Sequence, residues 1–154
     1  MKCLSHVLLT LLIMFNLGVS QAGQEFITKP SHFSVAETLD KLEKILKKKG
    51  VTVFSRIDHA AGAKSVGMKM RPAQLLIFGN PKMGSPLINE NPLISLDLPI
   101  KVLAWQDKKG KTWVSYLNPA VLKARYNIKN DKLINKMTNV LNKLTNKALA
   151  HNHK

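Results

Sequence analysis

The sequence predicts an α+β fold: a mainly antiparallel sheet packed against two long helices, preceded by a signal peptide. Three observations predict it. Five short stretches rich in β-branched and aromatic residues are bounded by Gly, Pro or Asn. Two longer stretches, 34–50 and 130–150, repeat apolar residues at the helical period. The order is strand, helix, four strands, helix, and so lacks the regular strand–helix alternation of parallel α/β folds. At 154 residues the chain has room for one domain with a core of its own.

The chain starts with the pattern of an export signal. Lys2 is a short positive region, Val7-Leu-Leu-Thr-Leu-Leu-Ile-Met-Phe15 a compact apolar run, and Ser20-Gln-Ala22 places small residues before a cleavage site after Ala22. The apolar run is shorter than the roughly 20 residues that span a bilayer. The expected organisation is a signal peptide over 1–22, an N-terminal strand and lead-in over 23–33, one domain over 34–150 and a His-containing tail over 151–154. The expected location is periplasmic or secreted. Cys3, the one cysteine, leaves with the signal, so the mature chain has no disulfide or thiol chemistry. The net charge of +15 falls to +14 when Lys2 is removed. That balance favours small anionic ligands and anionic surfaces. Only three of the 24 cationic residues are arginine, the residue suited to bidentate phosphate reading, so no specific nucleic-acid partner is expected.

Each element follows from local pattern. Gln24–Thr28 reads as a first strand interrupted by Lys29-Pro30. Ser34 and Glu37 have the spacing of a capping box; Val35, Leu39, Leu42 and Leu46 give one apolar face, and Gly50 stops the helix behind Lys47-Lys-Lys49. Val51–Asp58 alternates as a strand, with Val51, Val53, Ser55 and Ile57 on one face and Thr52, Phe54, Arg56 and Asp58 on the other. Ala60–Ala63 is a helical turn with Asp58 as its cap. Ala73–Gly79 contains Leu75-Leu-Ile-Phe78, a run suited to a central strand covered on both faces. From Lys82 to Leu98 the prolines predict short helical turns, with Ser85-Pro86 as a start. Ile100–Gln106 and Thr112–Leu117 form a hairpin closed at Gly110. Asn118-Pro119 opens a short helix through Arg125. Asn130–Ala150 is a long helix whose stripe of Leu133, Met137, Val140, Leu144 and Ala148 predicts core docking, beside a lysine face of Lys132, Lys136, Lys143 and Lys147.

The segments Ser34–Leu42, Ile57-Asp-His-Ala-Ala-Gly62, Arg71–Pro81, Leu96–Leu103 and Trp113–Pro119 together resemble the DUF302 family, a domain of unknown function, over residues 26 to 149. The resemblance implies a β-α-β(4)-α domain similar to the TATA-box-binding-protein fold class, usually a homodimer. It implies no activity, and a shared fold does not carry DNA binding with it.

The densest polar cluster is Arg56, Asp58 and His59, with Asn80 and Asp97. If the strand ends at Asp58 and Gly79 adjoin, the cluster converges on one rim of the sheet. A carboxylate could then orient His59 as a general base beside an anion-binding Arg56. The competing reading is structural: Asp58 caps the next turn, Arg56 pairs with Asp58, and His59 sits half-buried with a backbone partner. No serine, cysteine or threonine nucleophile stands in a catalytic motif, so enzyme activity is left open. Lys101 and Trp105 are candidate pocket-lining residues. No zinc motif is present; His151 and His153 in the tail offer only weak metal binding, and no cofactor is predicted. The leading reading is an exported small-ligand-binding homodimer. The alternatives are a small hydrolase or isomerase using Asp58 and His59, and a basic protein that holds anionic surfaces through its C-terminal helix. Membrane contact is expected only through the signal peptide or as weak peripheral association.

Overall fold

In the computed structural model, which describes residues 24–150, five strands form one antiparallel sheet in the order β1-β5-β4-β3-β2. The strands are β1 (Phe26–Ser31), β2 (Thr52–Asp58), β3 (Ala73–Gly79), β4 (Ile100–Gln106) and β5 (Thr112–Leu117). Two long helices, α1 (Val35–Lys48) and α5 (Asp131–Leu149), cover one face. Three short helices, α2 (His59–Ser65), α3 (Pro81–Glu90) and α4 (Ala120–Arg125), and a 3-10 turn at Pro92–Leu96 complete the chain. The α+β architecture read from the sequence is the one observed. The signal segment with Cys3, and His151 and His153, lie outside the described residues.

Helix α1 forms because its first turn is closed from both sides. Ser34 Oγ accepts from the Glu37 amide at 3.2 Å, and Glu37 Oε2 accepts from the Ser34 amide at 3.0 Å. Beyond Lys49 the chain turns at Gly50, whose φ of +65° costs a glycine little. The face with Val35, Leu39, Leu42 and Leu46 then meets Leu76, Phe78, Val102, Ala104, Val114 and Tyr116 from the sheet. Helix α5 adds Leu141, Leu144 and Ala148 to that core, so its apolar stripe is docked as the periodicity predicts. A second core lies around Leu87, Ile94, Leu122, Ile128, Ile134 and Met137. Ile100 packs against both.

Four local expectations are corrected. Strand β1 runs through Pro30, which lies opposite Trp113; β1 is an edge strand, so the missing amide costs no ladder bond on its free side. Strand β2 does not alternate evenly. A bulge between Val53 and Ser55 leaves Phe54 unpaired, and places Val53 with the helix-side core while Ser55 lies across from Ile77. Strand β3 is covered on one face only: Leu76 and Phe78 are buried, while Leu75 and Ile77 are half-buried on the face away from α1 and α5. Helix α3 starts at Asn80-Pro81 rather than at Ser85-Pro86. Asn80 Oδ1 caps the Lys82 amide at 2.9 Å and Pro81 takes the first helical position, so Pro86 is carried inside the helix.

The face away from α1 and α5 is largely apolar. Cross-strand neighbours place Pro30, Trp113, Trp105 and Ala73 in one row, Thr28, Ser115, Leu103, Leu75 and Ile57 in the next, and Phe26, Leu117, Lys101, Ile77 and Ser55 in a third. Lys101 is the charged side chain in these rows.

Candidate functional site

Antiparallel pairing decides which of the candidate residues meet. Asp58 lies opposite Gln74, and Thr52 opposite Gly79. The Asp58-His59 end and Asn80 are therefore at opposite ends of the strand pair, about 20 Å apart at the usual rise per residue. The convergence expected of Arg56, Asp58, His59 and Asn80 does not occur, because it needed parallel strand ends.

Arg56, on the helix side of β2, is spent on local structure. Its Nε and Nη2 donate to Gln74 Oε1 at 3.0 and 2.7 Å, its Nη1 to Asp40 at 2.5 Å and its Nη2 also to the Ala36 carbonyl at 3.1 Å. Gln74 Nε2 in turn donates to Asp58 Oδ2 at 2.9 Å, so Gln74 stands between the arginine and the carboxylate expected to pair. Asp58 Oδ1 accepts from the Ala61 amide at 2.9 Å and caps α2. That backbone donor, more than any other group, holds the Asp58 carboxyl below its usual range. His59 follows as the first residue of α2, exposed rather than half-buried, and its imidazole has no hydrogen-bond partner among the described residues. A carboxylate that orients an imidazole is absent from this arrangement.

Asp97 belongs to another cluster. Its Oδ2 accepts from Arg125 Nη1 and from the Tyr126 hydroxyl, both at 2.8 Å, and Arg125 Nη2 reaches Glu25 at 2.5 Å. Burial alone would raise the Asp97 pKa, but the hydrogen bonds from Tyr126 and Arg125 outweigh it and hold the group low. Lys101 Nζ donates to the Asp97 carbonyl at 3.2 Å and lines a depression of about 260 Å³ between the open sheet face and Leu122 and Arg125 of α4. Trp105 is not in it. Trp105 Nε1 donates to Ser115 Oγ at 2.9 Å, and its ring stacks on Trp113 at 6.4 Å with 24° between planes. No group of three or more His, Cys, Asp or Glu side chains that could hold a metal occurs among the described residues.

A larger concavity lies elsewhere, at the end of the sheet where β2 starts and β3 stops. It is a cleft of about 670 Å³. One wall is Val51, Phe54, Phe78 and Pro99; α3 supplies Met83, Gly84 and Ile88; α5 supplies Met137, Val140, Leu141 and Leu144. The bulge in β2 frees Phe54 from the ladder and leaves it at this wall. Gly84 widens the cleft: a methyl group placed there would have Leu98 Cδ1 as its nearest neighbour, at 4.0 Å. Lys49, Asn80 and Ser85 are the polar side chains in the lining, and no carboxylate is among them. Asn80 uses its oxygen to cap α3, and its amide nitrogen has no partner among the described residues. The cleft can therefore enclose an apolar body and offer donors to a polar tip.

Of the candidate site residues named from the sequence that lie among the described residues, only Asn80 reaches this cleft. Two signals pointed to it: Met137, Val140 and Leu144 extend the α5 stripe, and Phe54 is a large apolar residue on a strand face shared with Arg56 and Asp58. The opposing wall comes from α3, and nothing local announces that pairing.

Comparison with known proteins agrees with the architecture. The family described as Domain of unknown function DUF302 matches residues 27–144. The crystal structure of an uncharacterized conserved DUF302 protein from Bacillus stearothermophilus superposes with a TM-score of 0.65 at 23% identity, covering 82% of this chain and 97% of that one. Among curated proteins, a fluoride-specific ion channel, FluC 1, of Brucella suis biovar 1 is 44% identical over 102 residues, which are 66% of this chain and 40% of the channel protein. A FluC 1 of Brucella abortus biovar 1 is 44% identical over 102 residues, or 38% of its length. The chain thus spans about 40% of the length of the curated relatives it matches.

Proposed function

This chain belongs to the DUF302 family, and on that footing we propose that it is an exported binding protein for a small, largely apolar ligand, assembled as a homodimer. The cleft carries the reading. Small-molecule sites commonly measure roughly 300–1,000 Å³ and combine an apolar lining with a few placed polar groups. A cleft of about 670 Å³ with Lys49, Asn80 and Ser85 among apolar walls has that character. A ligand that fills it gains about 0.8 kcal/mol per methylene removed from water.

The open sheet face supports the homodimer. In a chain of net charge +15, those rows hold one cation, Lys101, turned onto the Leu96 and Asp97 carbonyls. A twofold contact meets itself, so a charge-poor apolar patch is what self-association requires. Fluoride conduction is named for relatives of which this chain covers about 40%, and the cleft gives no argument for it.

The test is native mass spectrometry of protein purified gently from its own host, before and after denaturation. A reproducible extra mass is expected on the native protein. Gly84→Leu keeps α3 helical, since leucine is the better helix former there, and fills the cleft from its own wall. Loss of the extra mass in that variant, with unchanged thermal stability, places the ligand. An extra mass that persists in Gly84→Leu refutes the site.

A further inference from the structure

The loop from α2 into β3 exposes Val66, Met68 and Met70, which are 69%, 60% and 52% accessible. These apolar residues alternate with Gly67, Lys69 and Arg71, and Lys64 precedes them. Beside the loop stands the β4–β5 hairpin, joined to it by the Gln106 amide, which donates to the Pro72 carbonyl at 3.0 Å. The hairpin adds Lys108 and Lys109, both exposed, and Lys111, which lies 4.2 Å above the Trp113 ring.

The acids of this end are already engaged. Asp58 caps α2, and Asp107 accepts from the Lys109 and Lys111 amides and from Trp113 Nε1. Among the described residues, Lys64, Lys69, Arg71, Lys108 and Lys109 form no ion pair. One end of the molecule thus presents three exposed apolar side chains interleaved with and neighboured by unpaired cations.

We propose that this end docks on the surface of an anionic phospholipid bilayer. Val66, Met68 and Met70 enter the acyl boundary while the cations meet headgroups. Interleaved basic and apolar residues suit that boundary, where each side chain finds its own medium within a few ångströms of the next. A solvated lysine surface has no use for exposed methionine; a dry protein partner would leave the cations unpaired. The surface is distinct from the lysine face of α5, whose apolar side is mostly docked, with Met137, Leu141, Leu144 and Ala148 buried. It is also at the opposite end of β2 and β3 from the cleft, so it stands or falls independently of the ligand reading.

The experiment is co-sedimentation of the purified protein with vesicles of phosphatidylcholine alone and of phosphatidylcholine mixed with phosphatidylglycerol. Binding is expected only with the anionic lipid. Met68→Ser/Met70→Ser removes exposed apolar surface and no core contact, and is expected to weaken binding roughly tenfold. Lys108→Glu/Lys109→Glu is expected to weaken it at least as much. Lys132→Glu/Lys136→Glu on α5, with the same change in net charge, is expected to leave most of the binding intact. Equal loss in the α5 and hairpin variants would overturn the proposal in favour of a diffuse charge effect. So would full binding by the methionine variant, absence of binding to phosphatidylglycerol vesicles, or binding to a soluble sulfated polysaccharide in their place.

Discussion

Asp97 shows how a charged residue chosen from sequence as part of a site can instead hold the chain together. Its carboxylate receives Arg125 from α4 and Tyr126 just beyond it, and Arg125 reaches Glu25 ahead of β1. The carboxyl is held below its ordinary value, which lies near 4 in an unfolded chain. A group depressed on folding contributes stability that is fully present above the unfolded value. That stability is lost as pH falls through the folded one. Asp97→Asn is therefore expected to lose about 1 kcal/mol at neutral pH, the scale of a partly solvated charge-assisted bond. The difference from the natural protein should shrink in the acid arm of a stability–pH profile; a difference independent of pH would show that packing, not charge, is at stake. Arg56 is the same lesson on the helix side of the sheet. Its type and position were legible, but its partners Asp40, Ala36 and Gln74 come from other elements.

Elements built from contiguous signals were legible in detail. The capping box at Ser34 and Glu37, the Gly50 stop, the hairpin at Gly110 and the stripe of α5 each state their structure within a few residues. Ser34→Ala is expected to cost about 1 kcal/mol in urea unfolding with an unchanged slope, because the helix it opens carries Val35, Leu39, Leu42 and Leu46 into the core. Ambiguity entered where two local signals competed or where pairing changed the phase. Asn80-Pro81 and Ser85-Pro86 are both helix starts, and the earlier is the one used: Asn80 Oδ1 caps the Lys82 amide and Pro81 takes the first helical position, although Pro86 then costs the helix an interior hydrogen bond. The bulge at Phe54 shifts the side-chain phase of β2 and cannot be read from alternation, since it exists only against β3. The cleft was hidden for the same reason: its walls are β2, β3, α3 and α5, brought together by register and not by sequence proximity.

On the scale of the whole molecule, one sheet face is closed by α1 and α5 and the other is open. Leu103→Lys, at the centre of the open face, is expected to shift the protein from dimer to monomer in light scattering coupled to gel filtration. An unchanged mass would place any self-contact elsewhere. An apolar sheet face is also a hazard, since strands that add edge to edge grow into fibrils. Here both borders are spoiled for such growth. Pro30 removes a donor from the β1 border, and the kink between Val53 and Ser55 twists the β2 border away from a straight template. Growth along the strand ladder is disfavoured at both sides, so the sheet can keep an open apolar face without offering a straight edge to a further strand.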